Sequence, residues 1–343
     1  MIKPQRLSEG DTVAVVSLSS GLAGEPGIRW RQEQGIKHIE ETFNLKVKVM
    51  PNALKGIDYL YDHPEKRAED LNEALKDPKV KAIICAIGGK ETIRILPYID
   101  FEALKNNPKI FTGYSDTTSN HLMFYNNGIS TSYGPALLTD FAENIEMDEY
   151  TVESIRKTWF STEPIGEIKP AAKLREFGLQ WDIENKNKRR PLIENTGYES
   201  INASGVAEGH LIGGCFEVIN NIRGTELFPD LNQFDGGILF FENSETNITP
   251  EALEDNLRSL SMMGIFDRIN GVIIGRPESG IYYEEYKEVW QKILKEAGRE
   301  DLPVLYNLSF GHNEPKFIVP YGLQAKVDTE NLTFEILESA VTE

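Results

Sequence analysis

The chain has 343 residues, of which 40% are hydrophobic and 26% are charged, a composition typical of a folded globular protein. A chain longer than about 250–300 residues is expected to divide into two domains. Lys and Arg number 36 against 54 Asp and Glu, which gives a formal net charge of −18. Because this charge repels nucleic-acid backbones and anionic lipids, we expect neither a nucleic-acid polymer nor a membrane as a partner.

The N-terminal segment has no apolar run of the length that an export signal needs, and no run is long enough to span a membrane. We therefore expect a cytoplasmic protein. Cys85 lies in an apolar run and Cys215 follows a Gly-Gly pair, which favours two buried, reduced thiols over a disulfide. The spacings indicate no metal site, and neither a dinucleotide fingerprint nor a P-loop occurs, so we predict no cofactor.

The first half of the chain alternates short apolar runs with longer amphipathic stretches. The pattern predicts strands over 12–17, 46–50 and 81–87 and from 110, and helices over 28–43 and 64–76 and from 92. Strict alternation of this kind is typical of a parallel, doubly wound α/β sheet. Ligands bind such sheets at the carboxyl ends of the strands, where Gly88, Gly89 and Ser115 lie.

Ser115 stands where an apolar run breaks at Gly113 and a helical stretch, 116–125, begins. A hydroxyl at such a strand-to-helix elbow is held out of the sheet, beside backbone N–H groups and the positive end of a helix dipole. This context favours a nucleophile. A serine in a turn before a helix is often only an N-cap, and Asp116 suits that position equally well.

Two later residues complete a catalytic set with Ser115. Glu242 ends an apolar run, and a carboxylate there is costly to bury without a hydrogen-bonding partner. His312 follows another apolar run, although a lone loop histidine is usually solvated. The chain order Ser, Glu, His is that of elbow-type serine hydrolases, so we predict a serine hydrolase built on these three residues.

The pair Gly88 and Gly89, at the end of a buried strand, has two interpretations. The glycines satisfy a turn that needs positive φ. Alternatively, a backbone N–H group of this turn acts with that of Asp116 as an oxyanion hole, as in elbow hydrolases. The sequence alone leaves both open.

Between residues 169 and 200 the sequence becomes polar and loses clean periodicity. We interpret this segment as a crossover linker and substrate loop between an N-terminal domain, 1–168, and a C-terminal domain, 201–343. The second domain is predicted to be smaller and of mixed β/α type. Its predicted strands are 205–212, 237–241, 271–274, 304–308 and 332–337, and its predicted helices are 250–262 and 284–296.

Several short motifs, in the right order, resemble those of the LD-carboxypeptidase family of serine peptidases. These motifs are residues 67–89, 113–118, 213–214, 240–242, 271–275 and 311–312. The resemblance covers nearly the whole chain. Residues 86–89 and the long crossover segment are most similar to the microcin C immunity branch of the family.

The resemblance implies a Rossmann-like N-terminal domain, a smaller C-terminal β/α domain and a homodimer. It implies that Ser115 is the nucleophile, His312 the base and Glu242 the group that orients the base. The backbone N–H groups of Gly89 and Asp116 would then stabilise the oxyanion, and no cofactor is needed.

The immunity branch hydrolyses the amide between an aminoacyl or peptidyl group and a modified adenylate, and it stacks the base on aromatic residues of the crossover loop. The resemblance implies the same peptidyl-nucleotide or small peptide substrate here, with Phe177 and Trp181 in that loop. Trp181 is equally well explained as an anchor of the loop. At the position of Cys215 many relatives carry Asn, and at the position of Thr246 immunity proteins carry Lys.

Gly88, Cys215 and Thr246 are therefore further candidates for substrate binding, and two other functions stay open. One is an LD-carboxypeptidase that removes the terminal D-alanine from murein tetrapeptides. The other is a non-catalytic protein that binds a peptide or a nucleotide conjugate. The presence of Ser115, Glu242 and His312 together argues against the second, because loss of one of the three would be its signature.

Overall fold

The computed structural model of the chain describes residues 1–175, 179–202 and 205–343. Phe177, a predicted substrate contact, lies outside the described residues. The strands are β1 Thr12–Val16, β2 Lys46–Val49, β3 Val80–Cys85, β4 Ile110–Gly113, β5 Ser132–Tyr133, β6 Gly166–Ile168, β7 Lys173–Arg175, β8 Leu192–Glu194, β9 Glu199–Ser200, β10 Val206–Cys215, β11 Ile238–Glu242, β12 Gly271–Gly275, β13 Val304–Leu308, β14 Val319–Pro320, β15 Gln324–Asp328 and β16 Thr333–Ile336. The helices are α1 Arg29–Phe43, α2 Ile57–Asp62, α3 Pro64–Lys76, α4 Phe101–Asn106, α5 Thr118–Asn126, α6 Glu149–Ile155, α7 Phe216–Ile222, α8 Pro250–Met262 and α9 Tyr283–Glu296.

The first sheet has the strand order β2-β1-β3-β4-β5-β14, and its strands are parallel except for β14. Successive residues of β1 alternate between two cores: Val13 and Val15 pack in one, Ala14 and Val16 in the other. Helices cover both faces, which is why these strands are continuous apolar runs. The doubly wound α/β prediction is confirmed.

The second sheet has the order β6-β16-β15-β10-β11-β12-β13-β9. Strands β10 to β13 are parallel to one another, while β15, β16, β6 and β9 pair antiparallel. The predicted mixed β/α character of this half is therefore confirmed. Its core is continuous with one core of the first sheet, since Ile83 of β3 and Phe240 of β11 belong to the same buried cluster.

Each sheet also receives a strand from a distant part of the chain. Val319–Pro320 (β14) pairs with Ser132–Tyr133 (β5) and closes the edge of the first sheet. Gly166–Ile168 (β6) pairs with β16 at the edge of the second sheet. The N-terminal and C-terminal parts of the chain are thus joined by strand pairing within each sheet as well as by the core that the two sheets share.

Two further sequence predictions concern the cysteines and membrane spans. Cys85 and Cys215 are both buried and free, as predicted. Within the described ranges, no helix combines the length and the apolar character that crossing a membrane requires.

Substitution of Phe240 tests the shared core. Its ring is fully buried and lies 5.6 Å from that of Tyr133 and 4.9 Å from that of Tyr321, between centroids. We expect Phe240→Ala to lower the free energy of unfolding by about 3–5 kcal/mol, measured by chemical denaturation. Leu192→Ala is the control, because Leu192 is 48% exposed, and it should change stability by less than about 0.5 kcal/mol. Equal effects of the two changes would contradict the proposed core.

Candidate active site

Ser115 sits directly after β4, at the start of a single 3₁₀ turn, Ser115–Thr117, that leads into α5. Its φ is +64°, a left-handed conformation that costs a non-glycine residue about 1–3 kcal/mol. Its backbone N–H donates a hydrogen bond to the hydroxyl of Tyr133 (3.1 Å). The strained elbow turns the Ser115 side chain out of the sheet and towards two cavities.

The turn at Gly88 and Gly89 lies against this side chain. A Cβ atom on Gly88 would be 2.8 Å from the Cβ of Ser115 and 3.0 Å from its Oγ. Gly89 has a φ of +151°, and a Cβ there would lie 2.4 Å from the Oγ of Ser19. The close approach of this turn to the hydroxyl therefore requires that neither residue carries a side chain.

The side chain of Asp116 connects the elbow at Ser115 to the segment that follows the Gly88–Gly89 turn. One carboxylate oxygen, Oδ2, accepts hydrogen bonds from the Ser19 hydroxyl (2.5 Å) and from the backbone N–H groups of Glu91 (2.7 Å) and Thr92 (2.8 Å). The Asp116 carboxylate is thus fully used in structure. Its backbone N–H, 3.3 Å from the Cβ position of Gly88, remains the group with a predicted role in oxyanion binding.

Glu242 is the last residue of β11 and is completely buried. Its Oε2 accepts hydrogen bonds from the Nδ1 of His312 (2.7 Å) and from the backbone N–H of the same residue (3.2 Å). Its Oε1 accepts one from the hydroxyl of Tyr133 (2.5 Å). Each oxygen of this buried carboxylate therefore has a donor.

His312 lies four residues beyond β13 and is also buried. Its Nδ1 faces Glu242, while its Nε2 lies 2.9 Å from the Oε2 of Glu245. Burial lowers the pKa of His312, but the charge of Glu242 and hydrogen bonds to both carboxylates raise it further, to about 10. The imidazole is therefore protonated at neutral pH while it contacts both carboxylates.

One of the two cavities beside Ser115, the tryptophan-side cavity, has a volume of about 330 Å³. Trp181 and Arg31 contribute to its wall, together with Gly88, Gly89, Tyr114 and His312. The guanidinium of Arg31 lies 4.5 Å from the centroid of the Trp181 ring, a cation–π contact. The crossover segment thus brings an aromatic side chain to the predicted site.

The other, the cysteine-side cavity, has a volume of about 290 Å³ and is also lined by Ser115. Cys215 and Thr246, both predicted substrate contacts, line it as well. Glu217 lies between them: the Sγ of Cys215 is 3.3 Å from one of its oxygens, and Ser244 donates to it through its N–H (3.0 Å) and its hydroxyl (3.0 Å). This wall is therefore polar and acidic.

A metal ion has one conceivable set of ligands among the residues that the structure describes. Atoms of Cys215, Glu242 and His312 lie within 4.8 Å of one another. Burial raises the pKa of the Cys215 thiol well above its usual value, and a neutral thiol is a poor metal ligand. The donors around Glu242 favour a hydrogen-bonded site over metal coordination.

Most of the site residues that the sequence predicts are close together. Gly88, Gly89, Asp116, Trp181, Cys215 and Thr246 line one or both of the cavities that Ser115 borders, and His312 faces one of them. Sequence reasoning missed Tyr133, Arg31, Glu217 and Glu245. Of these, Glu245 alone had an available signal, its position in the loop just after Glu242.

Comparison with known proteins identifies the family of the chain. Residues 13–134 match the model of the LD-carboxypeptidase N-terminal domain, and residues 208–327 match that of the C-terminal domain. The chain belongs to the LD-carboxypeptidase family. It is an enzyme of the serine hydrolase class and falls in the microcin C immunity branch of that family.

Three relatives bear on function. A Streptococcus pneumoniae MccF-like protein, solved in complex with AMP, is 36% identical, with a TM-score of 0.88 over 95% of this chain and 98% of that one. The microcin C7 self-immunity protein MccF of Escherichia coli is 28% identical over 97% of this chain and 94% of its own length. MccF has also been solved in complex with aspartyl sulfamoyl adenosine, with a TM-score of 0.86 and complete coverage of both chains. A Bacillus subtilis protein assigned as a murein peptide carboxypeptidase is 29% identical over 99% of this chain and 96% of its own.

Tyr133 offers a test of the site in this LD-carboxypeptidase. Tyr133→Phe removes the hydroxyl that donates to Glu242 and accepts from the backbone of Ser115. We expect kcat/KM to fall by about tenfold to a hundredfold in steady-state kinetics, because both groups lose a positioning contact. Tyr150→Phe is the control, since its hydroxyl donates to the carbonyl of Lys169 and lines neither cavity. An unchanged kcat/KM in Tyr133→Phe would exclude a positioning role for this hydroxyl.

Proposed function

We propose that this enzyme uses Ser115, His312 and Glu242 to hydrolyse the amide between an aminoacyl or peptidyl group and a modified adenylate. The observation that carries the proposal is the 2.7 Å contact of Glu242 with the Nδ1 of His312, beside a hydroxyl that borders two cavities. Substrate on both sides of a nucleophile is what cleavage of an internal amide requires. The presence of all three residues argues against a non-catalytic binding protein.

In the proposed reaction, neutral His312 accepts the proton of the Ser115 hydroxyl as its oxygen attacks the amide carbonyl. Glu242 holds the Nδ1–H of the ring, so that Nε2 is the basic atom. The N–H groups of Gly89 and Asp116 stabilise the oxyanion. The C–N bond then breaks, the leaving amine takes the proton from His312, and water hydrolyses the acyl-enzyme.

The tryptophan-side cavity is the proposed site for the nucleotide. A face of Trp181 can stack on a base, which contributes about 1–3 kcal/mol. Arg31, which also lines this cavity, favours a phosphate or sulfamate group, whereas the charge of Arg190 is paired with Glu143 and Glu314. AMP in the Streptococcus pneumoniae relative and aspartyl sulfamoyl adenosine in MccF support a nucleotide conjugate as substrate. The cysteine-side cavity is then left for the acyl group.

The runner-up is removal of the terminal D-alanine from murein tetrapeptides. The family to which the chain belongs and its Bacillus subtilis relative support this activity. The chemistry at Ser115 is the same in the two cases, and the leaving group distinguishes them. A homodimer and a cytoplasmic location are part of the proposal in either case.

A substrate panel separates the two activities. Purified enzyme is incubated with an aminoacyl sulfamoyl adenosine or with murein tetrapeptide, and products are identified by mass spectrometry. We expect cleavage of the adenosine conjugate, and we expect Ser115→Ala to reduce kcat by about 10⁴- to 10⁶-fold without loss of the folded state. Turnover of the tetrapeptide alone would establish the runner-up. Activity of Ser115→Ala within about tenfold of wild type would remove Ser115 from the mechanism.

Trp181→Ala tests the site of the base. We expect KM for the adenosine conjugate to rise by about tenfold or more, with little change for a short peptide substrate that lacks the base. Ile183→Ala is the matched control, because Ile183 is an apolar residue of the same segment, is 52% exposed and lines neither cavity. Equal effects of Trp181→Ala on both substrates would mean that Trp181 only anchors the loop.

A further inference from the structure

The Nε2 atom of His312, which acts as the base in the proposed mechanism, contacts a second carboxylate, that of Glu245. This nitrogen lies 2.9 Å from the Oε2 of Glu245, whereas the Ser115 hydroxyl has no hydrogen-bond partner among the residues described. The reaction requires that this nitrogen accept the proton of Ser115. The ion pair of His312 with Glu245 therefore has to open before catalysis.

We propose that Glu245 keeps His312 inactive until an ammonium group on the acyl part of the substrate forms an ion pair with the Glu245 carboxylate. Glu245 then selects aminoacyl substrates with a free amine over N-acylated ones. This inference rests on the proposed serine hydrolase mechanism and adds to it a substrate class and the residue that recognises it.

The loop that carries Glu245 is fixed on either side of it. Ser244 donates two hydrogen bonds to the half-buried carboxylate of Glu217, and the hydroxyl of Thr246 lies 2.7 Å from that of Ser244. The side chain of Glu245 is in contrast 59% exposed. Rotation of this side chain alone releases His312, so the loop backbone need not move.

Glu245 lies where an acyl group would be bound. It is the acidic residue that lines both cavities beside Ser115, among the residues that the structure describes. The α-amine of an aminoacyl group is attached to the carbon next to the scissile carbonyl, so it lies within about 3–6 Å of the attacking oxygen in a reactive geometry. A free ammonium there meets the Glu245 carboxylate, and an acetylated nitrogen has no charge to offer it.

The charges around His312 favour its protonated form while Glu245 is in place. The titratable groups that face the ring or line the tryptophan-side cavity are Cys215 on β10, Glu242 on β11, Glu245 on the following loop, Tyr114 after β4, Glu314 after β13, Arg31 on α1 and Arg190 in the crossover segment. The hydrogen bond with His312 lowers the pKa of Glu245 to about 2, so the pair is ionic. With its pKa raised to about 10, the imidazole of His312 is protonated at pH 7.

When the Glu245 carboxylate pairs with a substrate ammonium, the imidazolium of His312 loses one of the two anions that stabilise it. The pKa of His312 then falls, its Nε2 proton passes to water, and the neutral ring accepts the proton of Ser115.

The first test uses a fluorophosphonate probe that labels an activated serine and needs no substrate recognition. Labelling of Ser115 is followed against pH in the wild type, in Glu245→Gln and in Glu300→Gln, a control that removes the same charge from an exposed position. Because a base acts only when deprotonated, labelling should rise with pH through the pKa of His312. We expect Glu245→Gln to shift this rise by about one pH unit or more to lower pH, and to label about tenfold faster at pH 7. Glu300→Gln should match the wild type.

The second test compares an aminoacyl sulfamoyl adenosine with its Nα-acetyl derivative. We expect the wild type to prefer the free amine by about tenfold or more in kcat/KM, and Glu245→Gln to reduce that preference to about threefold or less. An identical pH profile or an identical preference in the two proteins would overturn the role of Glu245, while the proposed function would stand. Failure of Ser115 to react at any pH, in every variant, would overturn the proposed function as well.

Discussion

The carboxylate of Glu242 is excluded from water, and a buried charge is tolerated only where donors surround it. Tyr133 and His312 supply these donors. Two glycines leave room for the Glu242 side chain. A Cβ on Gly311 would lie 2.3 Å from the Cγ of Glu242, and a Cβ on Gly275 would lie 2.8 Å from the Cβ of Glu242. The need to pair this single charge thus determines the path of the chain after β12 and β13.

Tyr133 connects the Glu242 carboxylate to the first sheet through its hydroxyl. Its hydroxyl donates to Glu242, at the end of β11, and accepts from the backbone of Ser115, at the end of β4. Strands of two different sheets therefore meet at one phenol oxygen. Because burial and the charge of Glu242 raise the pKa of Tyr133 well above its usual value, this hydroxyl keeps its proton, and donates it to Glu242, at pH values where an ordinary tyrosine ionises.

Features that depend on local pattern were predictable. The apolar runs gave the central strands of both sheets, and helix α3 begins with the proline that suits a first turn. The positions of Ser115, Glu242 and His312 after such runs gave the outline of the site. Tyr133 was not predictable, because β5 has two residues, and its partner Glu242 is 109 positions away. Contacts of that range depend on how the sheets pack, and no local pattern records them.

The pairing of Val319–Pro320 with Ser132–Tyr133 has a consequence for how the protein is made. During synthesis from the N-terminus, the edge of the first sheet stays open until nearly the whole chain has left the ribosome. The strand at this open edge is β5, which carries Tyr133. Until then β5 pairs with β4 alone and presents one unpaired edge, which is a template for pairing with another chain.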